Sequence, residues 1–206
     1  MEKNKNKNIV EEIKVILVGE SGTGKTSLIN DAVGIPFKDK LDSTTANSFF
    51  SKTITIDKKQ YTLNLWDTIG QEKFHSLTKI FIKDSKIVIL VYDITDITSF
   101  TKIDFWYKTV KDILGDDAIY GLCGNKNDLL MKMQVKEEEG RNYAEEKNIL
   151  FRTTSAKTSS GFNKFLEELT KQYIEKFGGI KIKADDNDKK INLNDNIKNK
   201  EKKCCK

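Results

Sequence analysis

The segment Gly19-Glu20-Ser21-Gly22-Thr23-Gly24-Lys25-Thr26 has the spacing G-x-x-x-x-G-K-[ST], and the chemistry of that spacing is phosphate binding. Its glycines let the backbone curl until successive N–H groups face one concave anion site, to which Ser21, Gly22, Thr23, Gly24 and Ser27 contribute. A helix that begins as the loop ends adds the positive end of its dipole to the same place. Lys25 is then set to contact the β- and γ-phosphates of a nucleoside triphosphate, and the Thr26 hydroxyl to ligand Mg²⁺. The context agrees: the apolar run Ile13-Lys14-Val15-Ile16-Leu17-Val18 reads as a strand before the loop, and Ser27-Leu28-Ile29-Asn30 continues it as a helix.

Asn125-Lys126-Asn127-Asp128 chooses the base. A carboxylate at Asp128 accepts hydrogen bonds from the guanine N1–H and its exocyclic amine; adenine offers no such donor pair, and a misfit leaves a buried charge unpaired. Asn125 is placed to bond the ring edge and the Lys126 stem to pack on the base. In Thr154-Ser155-Ala156-Lys157 the Ala156 N–H is a donor for the guanine O6, Lys157 packs on the base, and Ser155 belongs to the same cradle. A metabolic kinase or ATPase built on a phosphate loop has no use for this guanine clamp.

Trp66-Asp67-Thr68-Ile69-Gly70-Gln71-Glu72 supplies the hydrolytic parts. Asp67 holds Mg²⁺ through water, the Gly70 N–H reaches the γ-phosphate, and Gln71 orients the attacking water, with Lys25 completing the catalytic set. Such a reaction needs positioning and charge stabilisation more than covalent help. Within this frame Thr44 is a second Mg²⁺ ligand and Phe37 leans on the base. Loss of the γ-phosphate would release the Thr44 and Gly70 segments, an order–disorder switch.

Elements must bring these residues together. Strand-like runs at 13–18, 48–57, 61–66, 86–92, 118–123 and 149–153 alternate with helix-like segments at about 99–114, 137–147 and 161–177. The order predicts an α/β fold of the P-loop NTPase type, with a six-stranded mostly parallel sheet, one antiparallel edge strand, and helices on both faces. Ligands in such sheets sit beyond the carboxyl ends of the strands, where every motif above falls. The chain divides into a polar N-terminus at 1–11, a domain at 12–177 and a flexible tail at 178–206.

Composition excludes other classes. With 206 residues the chain suits one domain plus tails. No run of about 18 apolar residues predicts a transmembrane helix, and the polar start Met1-Glu2-Lys3-Asn4 is no secretory signal. The formal charge is +5, and nine lysines against five acids from Gly178 onward carry most of the excess. The folded part is nearly neutral and carries no nucleic-acid motif, so no nucleic acid is expected. Of the three cysteines, Cys123 sits in an apolar strand and Cys204 and Cys205 near the C-terminus, a pattern of a reduced cytosolic chain.

These motifs, in this order and spacing, resemble the Ras superfamily of small GTPases. Val91-Tyr92-Asp93-Ile94-Thr95 and the paired terminal cysteines resemble the Rab family. Gly19-Glu20-Ser21, Trp66-Asp67-Thr68, Gln71-Glu72, Phe74-His75-Ser76-Leu77 and Ser155-Ala156-Lys157-Thr158 are most similar to its early-endosomal branch. The resemblance spans about 13–177. It implies a monomeric GTP-binding switch that hydrolyses GTP to GDP slowly unless activated, and that recruits effectors to membranes in vesicle traffic. Its implied cofactors are GTP/GDP and Mg²⁺. Its implied partners are a guanine nucleotide exchange factor, a GTPase-activating protein, effectors, a prenylation escort and a GDP-dissociation inhibitor. Phe49, Trp66 and Phe81 are the implied effector-reading triad, and Lys202-Lys203-Cys204-Cys205-Lys206 resembles a double-geranylgeranylation site. Two lipid chains with nearby lysines would anchor stably where one would not, placing the protein in cytosol and on the cytoplasmic face of intracellular membranes such as the early endosome. Three places depart from the family pattern. Ile69 stands where Asp-x-Ala-Gly-Gln has alanine; Thr45-Ala46-Asn47-Ser48-Phe49 keeps only part of the first-switch signature; and Phe81-Ile82-Lys83-Asp84-Ser85 replaces Tyr-Tyr-Arg-Gly-Ala. Ile69 opens a second reading, a GTP-binding scaffold with very slow or no hydrolysis.

Overall fold

The structure, a computed structural model, describes residues 11–39, 48–67 and 81–178. Strand β1 (Glu11–Val18) leads through the glycine-rich loop into helix α1 (Lys25–Ala32). Strands β2 (Ser48–Ile56) and β3 (Lys59–Asp67) form an antiparallel hairpin. They are followed by β4 (Ile87–Asp93), α2 (Ile97–Thr101), α3 (Ile103–Leu114), β5 (Ile119–Asn125) and a 3-10 turn (Asn127–Lys132). Helix α4 (Glu137–Lys147), β6 (Leu150–Thr153) and α5 (Phe162–Phe177) complete the order.

The six strands form one sheet in the order β2-β3-β1-β4-β5-β6, parallel except for β2 at the edge. The strand order turns outward in both directions from β1, so a crevice opens at its carboxyl end, where the glycine-rich loop emerges. This is the predicted fold. Two local details differ from the expectation. The hairpin turns through only Asp57 and Lys58, both left-handed at φ 49° and 66°, and Lys59 is already paired with Ile56. Two-residue hairpin loops favour this mirror-type turn because its twist matches the strands. The single helix expected over about 99–114 is two, because the chain leaves α2 at Lys102 and restarts as α3. Asp96 caps α2 by accepting from the Thr98 N–H at 2.9 Å.

Strand periodicity builds two cores. Ile13, Val15 and Leu17 of β1 with Ile87, Ile89 and Val91 of β4 face α1 and α5, meeting Leu28, Phe162, Phe165 and Leu169. The alternate residues Ile16, Val18, Val88, Leu90 and Tyr92 face α3 and α4, meeting Ile103, Trp106 and Ala144. Cys123 is fully buried, and burial pushes its thiol up to about 12, so it behaves as a small core residue and not as a nucleophile. No helix among the described residues is long and apolar enough to cross a membrane.

Tyr92 carries an unusual polar group in that second core. It is fully buried, its ring packs on Phe100 at 4.9 Å, and its hydroxyl has no hydrogen-bond partner among the described residues. Burial holds the phenol far above its ordinary pKa. The hydroxyl occupies room that only glycine leaves at positions 124 and 140, where an added Cβ would crowd it. Tyr92→Phe removes a desolvated donor at nearly constant volume, so urea unfolding should show a gain of about 1 kcal/mol. A loss of similar size would mean that a buried water satisfies the hydroxyl.

Candidate functional site

At the carboxyl ends of β1, β4, β5 and β6 the loops converge as expected, and Asp67 at the end of β3 meets them. The glycine-rich loop needs glycine for steric reasons. At Gly19 (φ 146°) a Cβ would overlap the Val91 carbonyl oxygen of β4, and at Gly24 (φ 93°) it would overlap the Asn125 amide nitrogen. Gly24 is also the N-cap of α1, and no side chain caps that helix end. The first-turn N–H groups of α1 are therefore presented to the loop's concavity.

Lys25 lies beneath the loop, 5% exposed, and its ammonium donates to the carbonyls of Gly19 and Glu20 at 2.8 Å each. Burial lowers its pKa to about 8, against the opposing pull of Asp67 and then Glu20. The Thr26 hydroxyl donates to the Asp67 carboxylate at 2.7 Å, joining the start of α1 to the end of β3. Asp67 is 1% exposed. A hydroxyl and a buried carboxylate in contact beside an anion-binding loop are hard oxygen donors, the donor set that suits Mg²⁺ beside phosphates.

Beyond β5 the candidate base-binding residues are joined by hydrogen bonds between loops. Asp128 accepts from the Ser155 hydroxyl at 2.6 Å, and that oxygen accepts from the Thr158 N–H at 3.1 Å. Ser155 is fully buried and Ala156 nearly so. Lys126, left-handed at φ 68°, pairs with Asp93 at 2.5 Å, which ties its side chain to the end of β4. Lys157 lies 5.8 Å from the Phe37 ring and pairs with Asp39 at 3.2 Å, so Phe37, 40% exposed, meets the Ser-Ala-Lys loop directly.

Asn125 does something its position in the motif does not announce. Its amide is 2% exposed; Nδ2 donates to the Thr23 carbonyl at 2.9 Å, and Oδ1 accepts from the Thr154 hydroxyl at 3.2 Å. It is a strut between the phosphate loop and the base loops. Residue type likewise does not mark Ser155 as the orienting group of Asp128, or Thr154 as that of Asn125. Their signal is placement directly after a strand at the same sheet end.

Ser21, Gly22 and Ser27 lie on the same loop and first turn. Phe49, Trp66 and Phe81 touch in series: the first two rings stack at 5.3 Å and the second pair lie at 5.9 Å. Phe49 is 56% exposed. Thr44, Ile69, Gly70, Gln71, Cys204 and Cys205 lie outside the described residues.

A model of the Ras family matches residues 14–175, most of the chain. The chain belongs to the Ras family. This Ras-family chain is 35% identical over 168 residues to a Ras-related protein Rab5A of Oryza sativa subsp. japonica, covering 82% of this chain and 83% of the relative. It is 41% identical over 162 residues to a Ras-related protein Rab-21 of Bos taurus, covering 79% and 73%. Members of the family are GTPases, so the chain is a guanine-nucleotide-binding switch that hydrolyses GTP and works in vesicle traffic. The non-hydrolysing scaffold suggested by Ile69 has no support from these relationships.

Proposed function

We propose that this chain is a Rab-type switch of endosomal membranes whose guanine selectivity rests on Asp128 and whose hydrolysis rests on Gln71. The observation that carries the reading is the paired geometry at the sheet's end. Thr26 on Asp67 at 2.7 Å makes one pole of the site, and Asp128 on Ser155 at 2.6 Å makes the other. Asn125 braces the two loops between them.

Ser21 to Ser27 cradle the phosphates. Lys25 moves its ammonium from the Gly19 and Glu20 carbonyls onto the β- and γ-phosphates and stabilises charge on the phosphate oxygens during transfer. Thr26, Thr44 and, through water, Asp67 would hold Mg²⁺, which neutralises phosphate charge when bound. Gln71 orients the attacking water and the Gly70 N–H steadies the γ-phosphate. Asp128, Asn125, the Ala156 N–H and the stems of Lys126 and Lys157 hold the base, with Phe37 at its edge and Ser155 keeping Asp128 aimed.

Gln71→Leu should slow single-turnover GTP hydrolysis at least about tenfold, by loss of water positioning, with GDP affinity within about twofold of wild type. Equal rates would remove Gln71 from the mechanism.

The partners on this reading are an exchange factor, a GTPase-activating protein, a prenylation escort, a GDP-dissociation inhibitor, and effectors docking on Phe49, Trp66 and Phe81. Lipids on Cys204 and Cys205 attach the 178–206 tail to endosomal membrane. The names of the two relatives, Rab5A and Rab-21, support the branch. Replacing both cysteines by serine should move the protein wholly to the soluble fraction with GTP binding unchanged. A membrane-bound double variant would refute the anchor.

A further inference from the structure

Glu20 is held at both ends. Its backbone carbonyl accepts from the Lys25 ammonium at 2.8 Å and from the Thr23 hydroxyl at 2.9 Å. Its side chain leaves the phosphate loop and accepts, through Oε1, from the indole N–H of Trp106 at 2.9 Å, across 86 positions of sequence. Trp106 is on α3, 1% exposed, and belongs to the core with Ile16, Val18 and Leu90. A ring packed to that degree has no freedom to follow the loop; the loop is fixed to it. A charge-assisted bond to a partly buried carboxylate is among the stronger single contacts a loop can have.

We propose that Trp106 is a positioning residue for the phosphate loop: its indole N–H holds Glu20, and with it the loop backbone around the phosphates, in the geometry that retains nucleotide. The inference rests on the placement of phosphates in this loop argued above. Nothing in the phosphate-loop motif requires a carboxylate at position 20, and the Glu20 carboxylate takes its hydrogen bond from Trp106. A loop already held in shape orders little on binding, so its loosening appears mainly as faster release.

The test is release of a fluorescent GDP analogue chased with excess GTP from the full chain. Trp106→Phe keeps the ring in the core and deletes the N–H; it should release about tenfold faster, a change of about 1.4 kcal/mol. Glu20→Ala should do the same without touching the core, which keeps the test available if the tryptophan variant folds poorly. Glu20→Gln retains an oxygen acceptor and should stay within about twofold of wild type. The double variant Trp106→Phe/Glu20→Ala should release no more than about twofold faster than either single one, because both remove one contact. Wild-type release by Trp106→Phe, whatever its melting temperature, would overturn the inference. Glu20→Gln as fast as Glu20→Ala would assign the effect to charge beside Lys25 and overturn it as well. Failure of wild type to retain the analogue at all would instead remove the site reading, and this inference with it.

Discussion

Asp128→Asn should exchange guanine for xanthine selectivity. The direction follows from Ser155. Its hydroxyl oxygen already accepts from the Thr158 N–H, and its proton is given to Asp128 at 2.6 Å. An asparagine there meets a donor and must answer with its amide oxygen, so its NH₂ group faces the base. That group confronts the guanine exocyclic amine, donor against donor, while the second lone pair of the amide oxygen is left for the N1–H; the carboxylate accepted from both. Each charge-assisted bond is worth roughly 1.5–3 kcal/mol, so GDP affinity should fall on the order of 10²-fold or more. Xanthine carries an oxygen in place of that amine and accepts from the new donor. Competition binding with GDP, XDP and ADP should therefore show XDP overtaking GDP while ADP stays excluded. The companion variant Ser155→Ala frees the amide to flip and should blunt the switch. A GDP preference unchanged in Asp128→Asn would take Asp128 out of the guanine site.

The sheet and the loop chemistry were legible in the sequence for different reasons. The β4 run Ile87-Val88-Ile89-Leu90-Val91 can be little but a doubly buried strand, and glycines at a fixed distance before Lys25 have few other uses. What stayed hidden depends on the partner. The turn at Asp57-Lys58 carries no glycine, although both residues are left-handed. The break between α2 and α3 at Lys102 has neither glycine nor proline to mark it. Asn125 reads only as a base ligand until Thr23, 102 positions earlier, is seen against its amide, which adds a bracing role. Glu20 looks like a solvated loop residue until Trp106 is found across from it. The first two are local backbone choices that no glycine or proline marks; the last two are long-range pairings, and residue type alone does not name a partner.

The strut also makes Gly24 sensitive beyond its backbone conformation. Gly24→Ala meets two obstacles at once. The backbone there is left-handed at φ 93°, which costs a residue with a Cβ roughly 1–2 kcal/mol. The new methyl also falls on the Asn125 amide nitrogen, and Asn125, 2% exposed, has no room to retreat. Either Nδ2 abandons the Thr23 carbonyl, leaving a buried acceptor unpaired at about 1–3 kcal/mol, or the phosphate loop lifts off the base loops. Both outcomes disturb phosphate and guanine contacts together. GDP affinity should fall about 100-fold or more, with a lower unfolding midpoint. Gly22→Ala separates the two obstacles: Gly22 is left-handed at φ 80°, but its Cβ would meet nothing in the protein, so only about 1 kcal/mol of stability should be lost. The decisive comparison places Gly24→Ala in an Asn125→Ala background, where the amide is gone. There the glycine substitution should add only its left-handed term, leaving a coupling of about 1–3 kcal/mol between the two sites. If the two substitutions instead add independently, Gly24 is required for its backbone alone and Asn125 is not what joins the two loops.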